Sequence, residues 1–297
     1  MKKLALLIIG LFFFGSLVFA AKSITLKGSD TLLILGQKWA EIYMKNNPGT
    51  VIQVTGGGSG VGISALINGT TDIAQASRPM KEKEQEKMLE KRGVGPHEIP
   101  VALDGITVYV NEKNPVDKLN FAQLKGIFQA KIKNWNEVGG KDAKIVLYGR
   151  ENSSGTHVFF KEHVLDNEDY AVSVQPLPGT AAIVNAIAKD ENGVGYGGVA
   201  YAKGVKEVLV AKDEKSGYFP PTMENIVSGE YPISRYLFWY TAGSPKGDIK
   251  RVVDWILSPE GQKIVEEVGY FPLPIEKETK KETQKETKKE GSKSETK

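Results

Sequence analysis

Apolar residues along this chain keep switching between two periods. Ile24-Thr25-Leu26 and Val51-Ile52-Gln53-Val54-Thr55 read as strands. Between them, residues 32–44 set Leu32, Leu35, Trp39, Ile42 and Tyr43 on one helical face, and Asn46-Asn47-Pro48-Gly49 ends the helix. The alternation continues with a helix over 61–67, a small strand over 72–76, and a helix over 81–91. Residues 81–87 lack any apolar side chain, which predicts an exposed helix. Residues 99–103 and 106–110 are strand-like, interrupted by Asp104-Gly105. A helix over 121–129, a strand over 144–148, helices over 179–189, 246–257 and 259–268, and an aromatic strand over 236–240 complete the pattern. Gly193-Val194-Gly195-Tyr196-Gly197-Gly198 is too rich in glycine for an ordinary strand and points to close backbone packing. Strands alternating with helices predict α/β layers, with ligands expected outside the carboxyl ends of the strands.

The two ends of the chain differ from this core. Met1-Lys2-Lys3, an apolar run over 4–19 and small residues at Ala20 and Ala21 read as a secretory signal peptide (residues 1–21), cleaved near Ala20 or Ala21. A membrane-anchoring helix is the alternative for a run of this length. There is no Cys, so neither a Cys-linked lipid anchor nor a disulfide is expected. Residues 276–297 form a Lys/Glu/Thr/Ser tract with no aromatic residue, read as a disordered tail. Lys+Arg total 39 and Asp+Glu 36. Setting aside two lysines of the leader and the eight lysines and six glutamates of the tail leaves 29 against 30. The core is near neutral, and nucleic acid loses its main support as a partner.

The candidate chemistry lies in the loops that open helices. The stretch Gly149-Arg150-Glu151-Asn152-Ser153-Ser154-Gly155-Thr156 joins a strand to a helix and is built of hydrogen-bond donors: backbone N–H groups, three hydroxyls and one guanidinium. Alone it reads equally as a helix cap. Two further loops, Ser29-Asp30-Thr31 and Gly58-Ser59-Gly60, are of the same kind, and three such loops suit one small oxyanion held from several sides. No P-loop or dinucleotide fingerprint is present. His97, His157 and His163 without any Cys give no compact metal set, and neither a metal nor a cofactor is expected. Asp30 is the exception in a site of donors. It is either the N-cap of the helix that follows or an acceptor for a proton on the anion, which phosphate carries near neutral pH and sulfate does not.

Taken in order, Gly28-Ser29-Asp30-Thr31, Thr55-Gly56-Gly57-Gly58-Ser59-Gly60, Asp72-Ile73-Ala74-Gln75-Ala76-Ser77-Arg78, Arg150-Glu151-Asn152-Ser153-Ser154-Gly155-Thr156 and Gly193-Val194-Gly195-Tyr196-Gly197 resemble the periplasmic phosphate-binding (PstS-like) component of phosphate ABC transporters. Leu124 to Phe128 with Asn134-Trp135, and Ser258-Pro259-Glu260-Gly261-Gln262, share the likeness, which spans residues 22–274. The resemblance implies a two-lobed α/β periplasmic binding protein of type II-like form. Each lobe would be a mixed sheet flanked by helices, with phosphate in the cleft between them. Lobe I is expected over 22–103 plus 240–275 and lobe II over 104–239. It further implies a periplasmic monomer, not an enzyme, that delivers inorganic phosphate to a membrane permease. Carried over position by position, the phosphate shell would be Asp30, Thr31, Ser59, Arg78, Arg150, Ser154, Gly155 and Thr156. Some members place an Asp where Arg78 stands and a hydroxyl residue where Asp30 stands. Asp30 is therefore expected to take the acceptor role, with Arg78 binding the anion or pairing with Asp30.

Two rival readings follow from the same residues. A binding protein for another tetrahedral oxyanion, such as sulfate, molybdate or tungstate, would use similar loops, with Asp30 arguing against it. A secreted phosphatase would use Ser154 as nucleophile and His157 as base, without an orienting acid.

Overall fold

The structure, a computed structural model, describes residues 22–274, so the leader read at 1–21 and the tail at 276–297 lie outside the described residues. No described helix is long and apolar enough to cross a membrane.

The first half of the chain runs β1 (Lys22–Gly28), α1 (Leu33–Asn46), β2 (Thr50–Thr55), α2 (Ser59–Ile67), β3 (Ile73–Ala76), α3 (Glu82–Arg92) and β4 (Pro96–Val110). It continues through β5 (Lys118–Asn120), α4 (Phe121–Phe128), β6 (Val146–Arg150) and α5 (Gly155–His163). The second half holds β7 (Gln175–Leu177), α6 (Gly179–Lys189), β8 (Gly193–Gly198), β9 (Lys206–Ala211), α7 (Met223–Val227), β10 (Ser234–Ala242), α8 (Gly247–Ile256) and α9 (Pro259–Val268). The apolar spacing accounts for the helices directly: α1 buries Leu35, Trp39 and Tyr43, whereas the charged α3 buries only Met88. Local chemistry sets several boundaries. Asn120 and Gln123 form a capping box at the start of α4, and Ser258 caps α9 with Pro259 in its first turn.

The strands form one curled sheet in the order β2-β1-β3-β10-β4-β8-β6-β7, with β9 joining β4 to β5. β1 lies parallel to β2 and β3, and β6 lies parallel to β7 and β8. The antiparallel centre is made by β4 and β10. Residues 96–105 of β4 pair with β10, and residues 106–110 pair with β8. One core gathers Ile24, Leu35, Trp39, Val101, Leu237, Trp239 and Tyr270. A second gathers Leu103, Ile106, Leu124, Phe128, Phe160, Tyr196 and Ile233. Membership changes between Ala102 and Leu103 on β4, and between Ile233, just before β10, and Leu237 on it. The molecule is thus two-lobed; β4 runs through both lobes, and the chain returns to the first lobe at the start of β10.

Two segments differ from the pattern read off the sequence. Residues 99–103 and 106–110 belong to one unbroken strand, because the Asp104 carboxylate is met by Arg235 on the neighbouring β10 instead of disrupting the sheet. The glycine run is a fully buried strand, β8, over which α6 lies closely. A Cβ at Gly195 would stand 2.7 Å from Ile183 Cγ2 and 2.9 Å from Ile187 Cδ1, so only glycine lets the helix approach.

Candidate anion site

The loops that follow β1, β2, β3 and β6 all leave carboxyl ends of strands and converge where the two lobes meet. Arg150 is the last residue of β6, and Ser154 caps α5 by accepting from His157 N at 3.3 Å. Several contacts cross between the lobes. Asp30 Oδ2 lies 2.7 Å from Arg150 Nη2, and the Thr31 and Thr156 hydroxyls are 2.9 Å apart. Gly60 N donates to Ser153 O at 2.9 Å, and Tyr201 Oη donates to Asp30 O at 2.6 Å. Glycine permits the closeness. A Cβ at Gly155 would fall on Ser59 Oγ and 2.6 Å from Ser77 Oγ, and one at Gly58 would stand 2.6 Å from Ser153 O.

The hydroxyls here share one polarity. Ser59 Oγ accepts from Ser77 N at 3.0 Å, Thr156 Oγ1 from Arg235 Nη2 at 2.9 Å, and Thr180 Oγ1 from Arg150 Nη1 at 2.8 Å. Ser154 Oγ does the same as a cap. Amide and guanidinium nitrogens only donate, so each of these oxygens is the acceptor and its own proton is left to be donated. Arg150 has a side chain 1% exposed, and its buried Nε has no acceptor among the described residues. A buried donor without an acceptor is costly, and its presence beside a set of outward-donating hydroxyls fits an oxyanion.

The eight residues expected around the anion separate into two groups. Asp30, Thr31, Ser59, Arg150, Ser154, Gly155 and Thr156 come together at the lobe junction. Asp30 is not the helix cap: α1 is preceded by Leu32, without a capping side chain, and the Asp30 carboxylate instead accepts from Gly57 N at 2.9 Å and from Arg150. Arg78 is also buried near the junction, and its Nε, like that of Arg150, has no acceptor among the described residues, but its terminal nitrogens are taken. Its Nη1 and Nη2 take Glu84 Oε2 and Oε1 at 2.8 and 2.7 Å, and Nη1 also donates to Pro79 O. Glu84 in turn accepts from Lys81 N at the start of α3. Arg150, not Arg78, is therefore the arginine paired with Asp30.

His157 is a poor general base. Burial, with the cations Lys161 and Arg150 adding to it, pushes its imidazole down to about 4. The ring stacks on Tyr170 with centroids 4.4 Å apart, and no hydrogen bond joins it to Ser154 Oγ among the described residues. No group of three His, Asp or Glu side chains among the described residues is placed to hold a metal ion.

Asp104 and Arg235 are among the junction residues that escaped the sequence reading, as are Tyr201 and Thr180. Arg235 of β10 donates through Nε and Nη2 to Asp104 Oδ2 at 3.1 and 2.8 Å, and through Nη1 to Ser77 O at 2.7 Å. The available signal was a single charged side chain in each of two otherwise uncharged stretches, Leu103-Asp104-Gly105-Ile106 and Ile233-Ser234-Arg235-Tyr236-Leu237.

The family described as PBP superfamily domain matches residues 19–260. The phosphate-binding protein PstS of Pseudomonas aeruginosa is 35% identical over 264 residues, covering 83% of this chain and 82% of its own. PstS of Bacillus subtilis is 34% identical over 255 residues, covering 86% and 82%. Among solved structures, a putative phosphate ABC transporter substrate-binding protein with bound phosphate from Clostridium perfringens is 31% identical. It superposes with a TM-score of 0.76 over 85% of this chain and 100% of its own. The chain belongs to the PstS-like phosphate-binding proteins of the PBP superfamily.

Proposed function

We propose that this protein is the extracytoplasmic receptor of a phosphate ABC transporter, capturing inorganic phosphate between its lobes and delivering it to a membrane permease. The observation that carries the reading is Arg150: a buried guanidinium whose Nε has no acceptor among the described residues, set beside hydroxyls that accept from N–H groups and keep their own protons to donate. Asp30, Thr31, Ser59, Arg150, Ser154, Gly155 and Thr156 form the proposed shell, with Arg78 bracing one wall through Glu84. Lobe I comprises residues 22–103 and the chain returning through β10, and lobe II the segment between. Closure is favoured because only the closed form brings both sets of donors to one anion. The protein works as a monomer and by binding alone, without chemistry on its ligand.

Phosphate is favoured over sulfate and molybdate by Asp30. Its two oxygens accept one N–H each, leaving lone pairs for a proton brought by the ligand. A fully deprotonated anion would meet that carboxylate with repulsion and no hydrogen bond. The decisive experiment is to denature the purified protein, assay the phosphate released, and titrate the emptied, refolded protein calorimetrically with phosphate, sulfate and molybdate. Tight binding of phosphate alone is expected. Preference for sulfate or molybdate, or no heat with any of the three, would overturn the reading.

A further inference from the structure

Arg235 and Asp104 form an ion pair sealed where β10 and β4 pass from one lobe to the other, with side chains 2% and 0% exposed. Such a pair is a weak source of stability, because the hydration lost by both charges offsets most of their attraction, and apolar side chains of similar volume hold a strand pair as well. Its charges call for another explanation, and the contacts supply one. Four of the five N–H groups of Arg235 are engaged. Two hold Asp104, one holds Ser77 O at the end of β3, and one reaches Thr156 Oγ1 at the start of α5, with Thr31 Oγ1 at 3.5 Å beside it. The guanidinium also lies over the Phe159 ring of α5, 5.5 Å from its centroid. One side chain on a crossing strand thereby touches lobe I, lobe II and the strand beside it.

The consequence for the hydroxyls is directional. Thr31 and Thr156 stand 2.9 Å apart, and as an isolated pair either could donate to the other. Arg235 can only donate, so it fills one lone pair of Thr156 Oγ1 and turns the hydroxyl proton away from the crossing strand. Thr156 Oγ1 is made an acceptor toward the crossing strand, and its proton must be given away from it, to Thr31 or to an anion. Asp104 fixes the fork of Arg235 in the plane this requires.

We propose that Arg235, held by Asp104, is a positioning and affinity-determining residue of the anion site, which acts through Thr156 by turning its hydroxyl proton away from β10 and toward the site. The proposal rests on the phosphate reading above. The test is a double-mutant cycle on phosphate affinity, comparing wild type, Arg235→Lys, Thr156→Val and the double variant by calorimetry, with the melting temperature of each measured without phosphate. Arg235→Lys keeps a cation against Asp104 but cannot span Asp104, Ser77 and Thr156 in one plane. It is expected to weaken phosphate binding by about tenfold in the wild-type background and by less than about threefold when Thr156 is already Val. Equal losses in both backgrounds, or no loss in the first, would overturn the proposal. If Arg235→Lys does not fold, the neutral pair Arg235→Gln with Asp104→Asn takes its place in the cycle. If Thr156→Val abolishes measurable binding, Thr156→Ser should retain the full tenfold effect of Arg235→Lys, and loss of that effect would count against it. Failure of wild type to bind phosphate would instead reject the phosphate reading itself.

Discussion

Asp30 Oδ2 and Arg150 Nη2 meet at 2.7 Å across the junction of the two lobes, each held from behind, Asp30 by Gly57 N and Arg150 by Thr180 Oγ1. The pair couples the loop after β1 to the end of β6, 120 residues apart in sequence. It spends one of the donors of Arg150 and leaves its Nε without an acceptor.

Arg150 and Arg78 should therefore behave differently when truncated. Arg150→Ala removes a charge-assisted contact worth more than about 1.5 kcal/mol and should lower phosphate affinity at least about tenfold. Arg78→Ala strips Glu84 of its partner and should reduce folding stability by about 1–3 kcal/mol while changing phosphate affinity less than about threefold. Calorimetry and urea unfolding on the two variants separate the outcomes. A larger affinity loss at Arg78 than at Arg150 would reverse their roles.

Asp30→Asn replaces an obligate acceptor by a group that also donates. Sulfate should then compete with phosphate at least about tenfold more strongly than it does in wild type. A competition titration reads this directly, and undiminished exclusion of sulfate would confine Asp30 to partnering Arg150.

Gly155→Ala tests the closeness of the lobes. The added Cβ would clash with Ser59 Oγ and crowd Ser77 Oγ, so each lobe should fold while their closure is obstructed. Phosphate affinity should drop at least about tenfold, and small-angle scattering at saturating phosphate should show a larger radius of gyration than wild type. Compaction equal to wild type would refute the obstruction.

His157 gives stability a pH dependence of defined sign. Its unfolded value is 6.5 and its folded value about 4, so in that window the unfolded chain binds more protons and stability rises with pH. The contribution is complete above pH 6.5 and lost as pH falls toward 4. His157→Phe keeps the stack on Tyr170 and should flatten urea-unfolding stability across that interval. An unchanged slope would place the titrating group elsewhere.

The donor loops were legible because each is local: a strand ends, small polar residues follow, and a helix begins within three or four positions. The same holds for α6 and α9, whose ends match the spacing of their apolar residues. What escaped was carried by contacts distant in sequence. Asp104 read as a break in a strand because its partner lies 131 residues away, and only the β4–β10 register brings Arg235 beside it. Arg78 read as binding the anion or pairing with Asp30, because position and charge match a donor site; it is Arg150 that takes Asp30. The actual partner of Arg78, Glu84, depends on how sharply the chain turns from β3 into α3. The fate of Asp30 was undecidable for a related reason, since cap and cross-lobe partner use the same side chain and differ only in where Gly57 and Arg150 stand.

The unbroken passage of β4 through both lobes limits how this molecule can move. A hydrogen-bonded ladder such as β4 with β10 resists stretching and sliding but yields to twist. Opening of the lobes is then expected as a torsion where the β4–β10 ribbon ends, at Gly105, opposite Ser234, beyond which β4 pairs with β8. Because Arg235 grips that ribbon one residue away, unwinding it draws the guanidinium from Thr156, and the spring that lets phosphate out also withdraws the group that oriented its donors.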